Sequence, residues 1–193
     1  RAAGDVDLFG MGTTLCALAL VRGEGVDALA VANVGDSRVY RYGDGRLTQI
    51  CDDHSLVADL VRAGDLTEEE AARHPQRNIL TRALGIEPAL SVDTWELPAL
   101  AGDRYLLCSD GLFNELSDDR ITGLLEGDNN PELTAAALVR AAVDAGGHDN
   151  VTALVVDVDV APQAEGPWQR PEVKVEQPSN GGTRSPRQWV GSL

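Results

Sequence analysis

Two short acidic motifs carry the residue types best suited to chemistry. Ser109-Asp110-Gly111-Leu112 follows the apolar run at 104–108. Gly146-Gly147-His148-Asp149-Asn150-Val151-Thr152 precedes an alternating run at 153–160. Each motif sets an aspartate at the end of a predicted strand, on rigid backbone facing the rim of a sheet. A carboxylate placed there can hold a cation. The chain has no zinc-type cluster of Cys and His ligands, so the two carboxylates point to a hard, oxygen-coordinated metal.

The elements that must position these motifs follow from the hydrophobic pattern. Strands are predicted at 13–22, 27–34, 38–42 and 46–50, separated by Gly23-Glu24-Gly25, Gly35-Asp36-Ser37 and Gly43-Asp44-Gly45. Consecutive short strands joined by tight turns predict an antiparallel meander. Val and Ala on both faces of 28–34 predict a sheet covered on both sides. Leu56, Val57, Leu60 and Val61 have helical spacing, with Gly64 as a stop. Thr67 and Glu70 form a capping box that opens a short helix ending near Pro75. Strands follow at 90–97 and 105–108. Ser117 caps a helix, an Ala-rich helix spans 131–145 with Gly146 at its end, and a strand closes the unit at 151–160. Residues 1–160 are therefore expected to form one domain. Residues 161–193, rich in Pro and Gly and without periodicity, read as a disordered tail.

Composition narrows the function classes. The chain has 193 residues, 43% of them apolar, enough for one folded domain with a core. No run approaches the ~20 apolar residues that cross a bilayer. The first residues lack the apolar stretch of a signal peptide and lack an initiator Met, so the chain is expected to be cut from something longer. Its three cysteines, Cys16, Cys51 and Cys108, lie far apart in apolar stretches and read as reduced core thiols of a cytoplasmic protein. The net charge is -15. Such a body repels a nucleic-acid backbone. It would also repel a phosphorylated substrate unless bound cations reverse the local sign. The single lysine, Lys174, lies in the tail, which removes P-loop and Schiff-base chemistry.

The order of motifs carries a further signal. Gly12-Thr13-Thr14, Val34-Gly35-Asp36-Ser37-Arg38, Asp53-His54-Ser55, Thr81-Arg82-Ala83-Leu84-Gly85 and the two acidic motifs follow one another over residues 12–152. The series resembles the metal-dependent PPM (PP2C-type) serine/threonine phosphatases, in their bacterial branch. The resemblance implies an α+β fold, an α-β-β-α sandwich of two antiparallel sheets flanked by helices. It implies hydrolysis of phosphoserine and phosphothreonine in proteins by a metal-activated hydroxide attacking phosphorus in line. It also implies two Mg²⁺ or Mn²⁺ ions, with a third and weaker one in bacterial members. Asp110 and Asp149 match the family's metal-binding aspartates, and Asp36 matches the aspartate that helps hold the third ion. Gly111, Asn150 and Ser37 are expected around the metals. Residues 54–82 match the family's flap, which helps choose substrates. The flap carries Asn78 near the third ion, together with Arg62, Arg73, Arg77 and Arg82. His54 is expected to be structural and His148 a surface residue.

One departure matters. The family begins with an Arg…Asn-Glu-Asp segment and an Asp-Gly-Met-Gly-Gly-His segment, which supply the phosphate-binding arginine, the bridging aspartate and the histidine acid. Neither is in this chain, and Gly10-Met11-Gly12 has Phe9 where the aspartate should stand. Several N-terminal strands and a long helix are therefore expected to be missing. No directly catalytic group is expected in the chain, which should be inactive alone. The expected partners are phosphoproteins, a serine/threonine kinase and its targets in bacterial signalling, with no nucleic acid and no membrane segment. The chain is expected to be monomeric and cytoplasmic. The alternative is a non-catalytic PPM-like remnant that binds a phosphoprotein or regulatory partner. An in-frame metal-binding segment in the upstream DNA would distinguish a clipped enzyme from that remnant.

Overall fold

The computed structural model describes residues 10–22, 27–86, 89–127, 130–159 and 174–175. β1 (Leu15–Arg22) and β2 (Asp27–Val34) form an antiparallel pair with Leu15 opposite Val34. β3 (Arg38–Gly43) and β4 (Arg46–Gln49) form a second hairpin through Asp44-Gly45. The two hairpins lie in different sheets, so the expected single meander is not formed. The chain changes sheet at Gly35, which has a left-handed φ of 106°. A Cβ there would overlap the side chain of Thr14, so both the conformation and the packing require glycine.

Each sheet is completed by later strands. β5 (Asp93–Pro98) pairs with β2, and β6 (Arg104–Cys108) lies between β3 and β7 (Ala153–Asp157). Lys174–Val175 forms a short β8 against Asp93 and Thr94. The first sheet has the order β1-β2-β5-β8 and the second β4-β3-β6-β7. Apart from β8, the tail expected at 161–193 lies outside the described residues.

The second sheet is covered on both faces, and its sequence shows why. Val39, Tyr105 and Leu107 point toward the first sheet and meet Leu29, Val31, Trp95 and Leu97. Their neighbours Tyr40, Leu106 and Cys108 point the other way, into a second core. β6 is buried along its whole length, which accounts for its unbroken apolar run. β5 alternates, with Trp95 and Leu97 buried and Thr94 and Glu96 exposed. The face of β2 carrying Ala28, Ala30 and Ala32 is half-buried. Covering on both sides, as expected for 28–34, is thus only partly realised among the described residues.

The second core is closed by α3 (Asp110–Phe113), α4 (Asp118–Gly127) and α5 (Pro131–Ala145). The three helices pack on the second sheet. α5 starts at Asn130, whose side chain accepts the Leu133 N–H, with Pro131 in the first turn. Its buried Thr134, Leu138 and Ala142 recur every four residues on one face. α1 (Leu56–Ala63) is capped by Ser55 and ended by Gly64, and α2 (Glu68–Ala72) carries the Thr67–Glu70 capping box. The turn of α3 was not foreseen, because Asp-Gly-Leu-Phe is too short to show a helical period. All three cysteines are free, Cys51 and Cys108 buried and Cys16 half-buried. Burial pushes the Cys51 thiol up to about 12, so it is an inert core group.

Ile121 anchors α4 with no exposed surface. Ile121→Ala should destabilise the fold by about 2–5 kcal/mol, the usual range for emptying a core site of this size. Urea unfolding followed by tryptophan fluorescence measures it.

Candidate metal centre

The two acidic motifs meet at the end of the second sheet. β6 ends beside the start of β7, and Ser109 laces the adjoining segments together. Its N–H donates to Thr152 O at 3.1 Å, its hydroxyl accepts the Thr152 N–H at 3.0 Å and donates to Asn150 O at 3.2 Å. Gly111 then lies directly against the Asn150 carbonyl, where a Cβ would overlap the oxygen. Only glycine lets the first turn of α3 come this close to the Asn150-Val151 peptide. The Ser-Asp-Gly and Asp-Asn motifs are thus two halves of one packing contact.

That contact fixes the two carboxylates. Asp110 Oδ1 accepts the Gly111 N–H at 3.0 Å, and Asp149 Oδ1 accepts the Asn150 N–H at 2.6 Å. Asp149 is exposed on its loop. The loop is braced from the other side by Glu115, whose Oε1 pairs with His148 Nδ1 at 2.8 Å. The His148 side chain is otherwise a surface group, as expected.

Asp36 enters from the turn between β2 and β3. It lines the same cleft as Asp110, a cavity of about 1140 Å³ that also takes in Arg77, Asn78 and Phe113. Its carboxyl is pushed up to about 6, first by burial and then by the negative charge of Asp110. The structure therefore brings Asp36 and Asp110 together. Asp149 lies on the adjoining loop and does not line this cleft. Among the described residues no three His, Cys, Asp or Glu side chains surround a single point. The donors present are a partial set, but they fit a hard divalent cation: they are carboxylate oxygens, and a cation between Asp36 and Asp110 would relieve their repulsion.

The walls around the pair are rigid. Ser37 Oγ bonds Thr14 Oγ1 at 2.9 Å. Arg38 makes a fork on Asp53, with its shortest bond 2.7 Å to Oδ2, donates to Tyr40 Oη at 2.9 Å and lies 3.6 Å over the Phe113 ring. Arg38 therefore connects β3 and the Asp53-His54-Ser55 loop to α3. His54 is buried among Gly35, Asp93 and Arg82. Burial holds its imidazole below its ordinary value, Arg82 adding to the effect and Asp93 opposing it. This matches its structural reading.

The two ends of the segment at 54–82 are joined by a bridge between Ser55 and Leu80, and just beyond it Leu84 bridges Thr13. Two of its four arginines are committed elsewhere. Arg62 folds back on Asp59 and the Asp53 carbonyl, and Arg82 pairs with Asp93 at 2.6 Å. Arg73 and Arg77 are exposed, and Arg77 and Asn78 line the cleft. Sequence reasoning quoted Arg38 and Asp53 within motifs without assigning them a role. It missed Asp93 and Phe113, for which no local signal exists, since their partners are distant in sequence.

No protein-family model matches the chain. Individual relatives match strongly. The chain is 41% identical over 156 residues to the serine/threonine phosphatase stp of Listeria welshimeri, covering 81% of this chain and 60% of that protein. It is 47% identical over 157 residues to the serine/threonine protein phosphatase PstP of Mycobacterium tuberculosis, covering 79% of this chain and 28% of that protein. The crystal structure of the M. tuberculosis phosphatase PstP/Ppp superposes with a TM-score of 0.70 at 43% identity, covering 82% of this chain and 66% of that one. A PstP catalytic domain in complex with two manganese ions gives 0.68 at 41% identity, covering 82% of this chain and 65% of that one. The two-sheet α+β sandwich with its helices is the fold of that class. The chain belongs to the PPM-type serine/threonine phosphatase family. It spans about 60% of the length of the Listeria relatives it matches.

The Gly111 contact yields a sharp test. Gly111→Ala should force the Asn150 peptide away, and amide exchange should accelerate at Asn150 and Thr152 while the β3–β6 pairing stays protected. Unchanged exchange at both residues would mean that the close approach is not needed to hold the loop.

Proposed function

We propose that this chain is the metal-holding part of a phosphatase that hydrolyses phosphoserine and phosphothreonine in proteins. The observation that carries the reading is the placement of Asp36 beside Asp110 in one cleft, with the Asp149 loop packed against Gly111. The manganese-bound relative supports divalent ions as the cofactor. Bound there, Mg²⁺ or Mn²⁺ would lower the pKa of water and neutralise the phosphate.

The chain's own residues do the rest by position. Asp110 and Asp149 would hold ions at the sheet rim, and Asp36 a third and weaker ion. Ser109 and Gly111 hold the first two in register through their contact with Asn150. Ser37 fixes the turn that bears Asp36. Arg77 and Asn78, on the cleft wall, offer a cation and an amide to a phosphoprotein entering along the 54–82 segment. The phosphate-binding arginine, bridging aspartate and histidine acid implied by the family have no counterpart in these 193 residues. A bacterial kinase and its targets are the natural phosphoprotein partners, and the cytoplasm the natural site. No helix among the described residues is long and apolar enough to cross a membrane.

Two measurements on the chain test this reading. Alone, it should leave p-nitrophenyl phosphate essentially intact in Mn²⁺. Robust turnover abolished by EDTA would show that the site works without the phosphate-binding arginine, bridging aspartate and histidine acid. In calorimetric titration with Mn²⁺, Asp110→Asn and Asp149→Asn should each weaken binding by at least the ~10–100-fold typical of disturbed metal sites. Asp36→Asn should cost less. Equal losses from all three would contradict a separate, weaker role for Asp36. Normal binding in all three would favour a remnant that recognises partners without metal.

A further inference from the structure

We infer that His54 is a positioning residue for Asp36, acting through the Gly35 peptide; this rests on the metal role proposed for Asp36. His54 holds Gly35 through both of its backbone polar groups. Its N–H donates to His54 Nδ1 at 3.1 Å, and its carbonyl accepts the His54 N–H at 3.0 Å. The carbonyl also accepts from Asn33 Nδ2 at 3.1 Å. Gly35 sits in the left-handed region and is the residue at which the chain leaves one sheet for the other. Its peptide therefore sets the direction in which the next residue, Asp36, leaves the turn.

The imidazole can serve this role because its tautomer is fixed. Nδ1 must accept from Gly35, so the ring proton lies on Nε2, which donates to Asp93 Oδ2 at 3.0 Å. Asp93 is itself buried, and its Oδ1 accepts from Arg82 Nη1 at 2.6 Å. The chain of contacts Arg82–Asp93–His54–Gly35 thus runs from the end of the 54–82 segment to the Asp36 turn. An imidazole used only for filling space would need neither a fixed tautomer nor a buried acceptor for a backbone N–H.

Two variants separate the ring's two ends. Asn at 54 places an amide oxygen where Nδ1 stands, keeping an acceptor for Gly35. Gln reaches toward Asp93 but leaves the Gly35 N–H without its acceptor. The experiment is NMR on the full 193-residue chain with Mn²⁺ as the probe. In the unmodified chain, a scalar coupling across the hydrogen bond should link Gly35 N to His54 Nδ1, and its absence would overturn the inference without any variant. Mn²⁺ should broaden the Asp36 and Ser37 amides at low concentration. His54→Gln should require about 10–100 times more Mn²⁺ for the same broadening there. His54→Asn should stay within a few-fold of the unmodified chain. Equal Mn²⁺ requirements at Asp36 in all three proteins would overturn the positioning role. No broadening at Asp36 in the unmodified chain would instead overturn the metal reading on which it rests.

Discussion

Two carboxylates that share a cleft repel one another, and this fold holds Asp36 beside Asp110 all the same. The repulsion, added to burial, lifts the Asp36 carboxyl to about 6. Such an arrangement is unfavourable unless a cation or proton occupies the space between the groups. Most of the architecture near the cleft can be understood as what keeps the two groups from moving apart. Asp36 is on a turn locked by Thr14, Ser37 and His54. Asp110 opens a helical turn pressed against the Asn150 carbonyl. Arg38 spans the distance between the two sides, forked on Asp53 and stacked over Phe113.

The sandwich supplies the rigidity that this arrangement demands. β3 and β6 are central strands of the second sheet, and each is packed on both faces. Asp36 precedes β3 and Asp110 follows β6, and the two strands pair with Arg38 opposite Cys108. The carboxylates are therefore brought together by strand register, two residues beyond a hydrogen-bonded pair. β7 adds Asp149 by the same logic, since Ala153 pairs with Cys108. A one-residue slip in either register would turn the side chains to the wrong face and dissolve the site.

Much of this was legible in the sequence, and what was not has a physical reason. The strands, the capped helices and the two acidic motifs follow from local periodicity and turn chemistry, as with the Thr67–Glu70 capping box and the Ser55 and Gly64 caps. The change of sheet at Gly35 was not legible, because a Gly-Asp-Ser turn looks alike whether the next strand returns to the same sheet or crosses to another. The buried network behind His54 was not legible either. Asp93 is 39 residues away in sequence, and only the packing of β5 beside β2 brings it near. Asp110 and Asp149 were singled out by their places at strand ends and by the order of motifs, and the close approach to the Asn150 carbonyl accounts for Gly111 beside the first of them.

On the proposed reading, Asp36 and Asp110 are held together for a divalent cation. The most direct measurement is the carboxyl carbon shift of Asp36, followed by NMR as a function of pH with and without Mg²⁺, which is diamagnetic. Without the ion the carboxyl should titrate near 6. With saturating Mg²⁺ its midpoint should fall well below that value, because the ion takes the place of the proton. A midpoint unchanged by Mg²⁺, or one already at the ordinary aspartate value in its absence, would contradict the account.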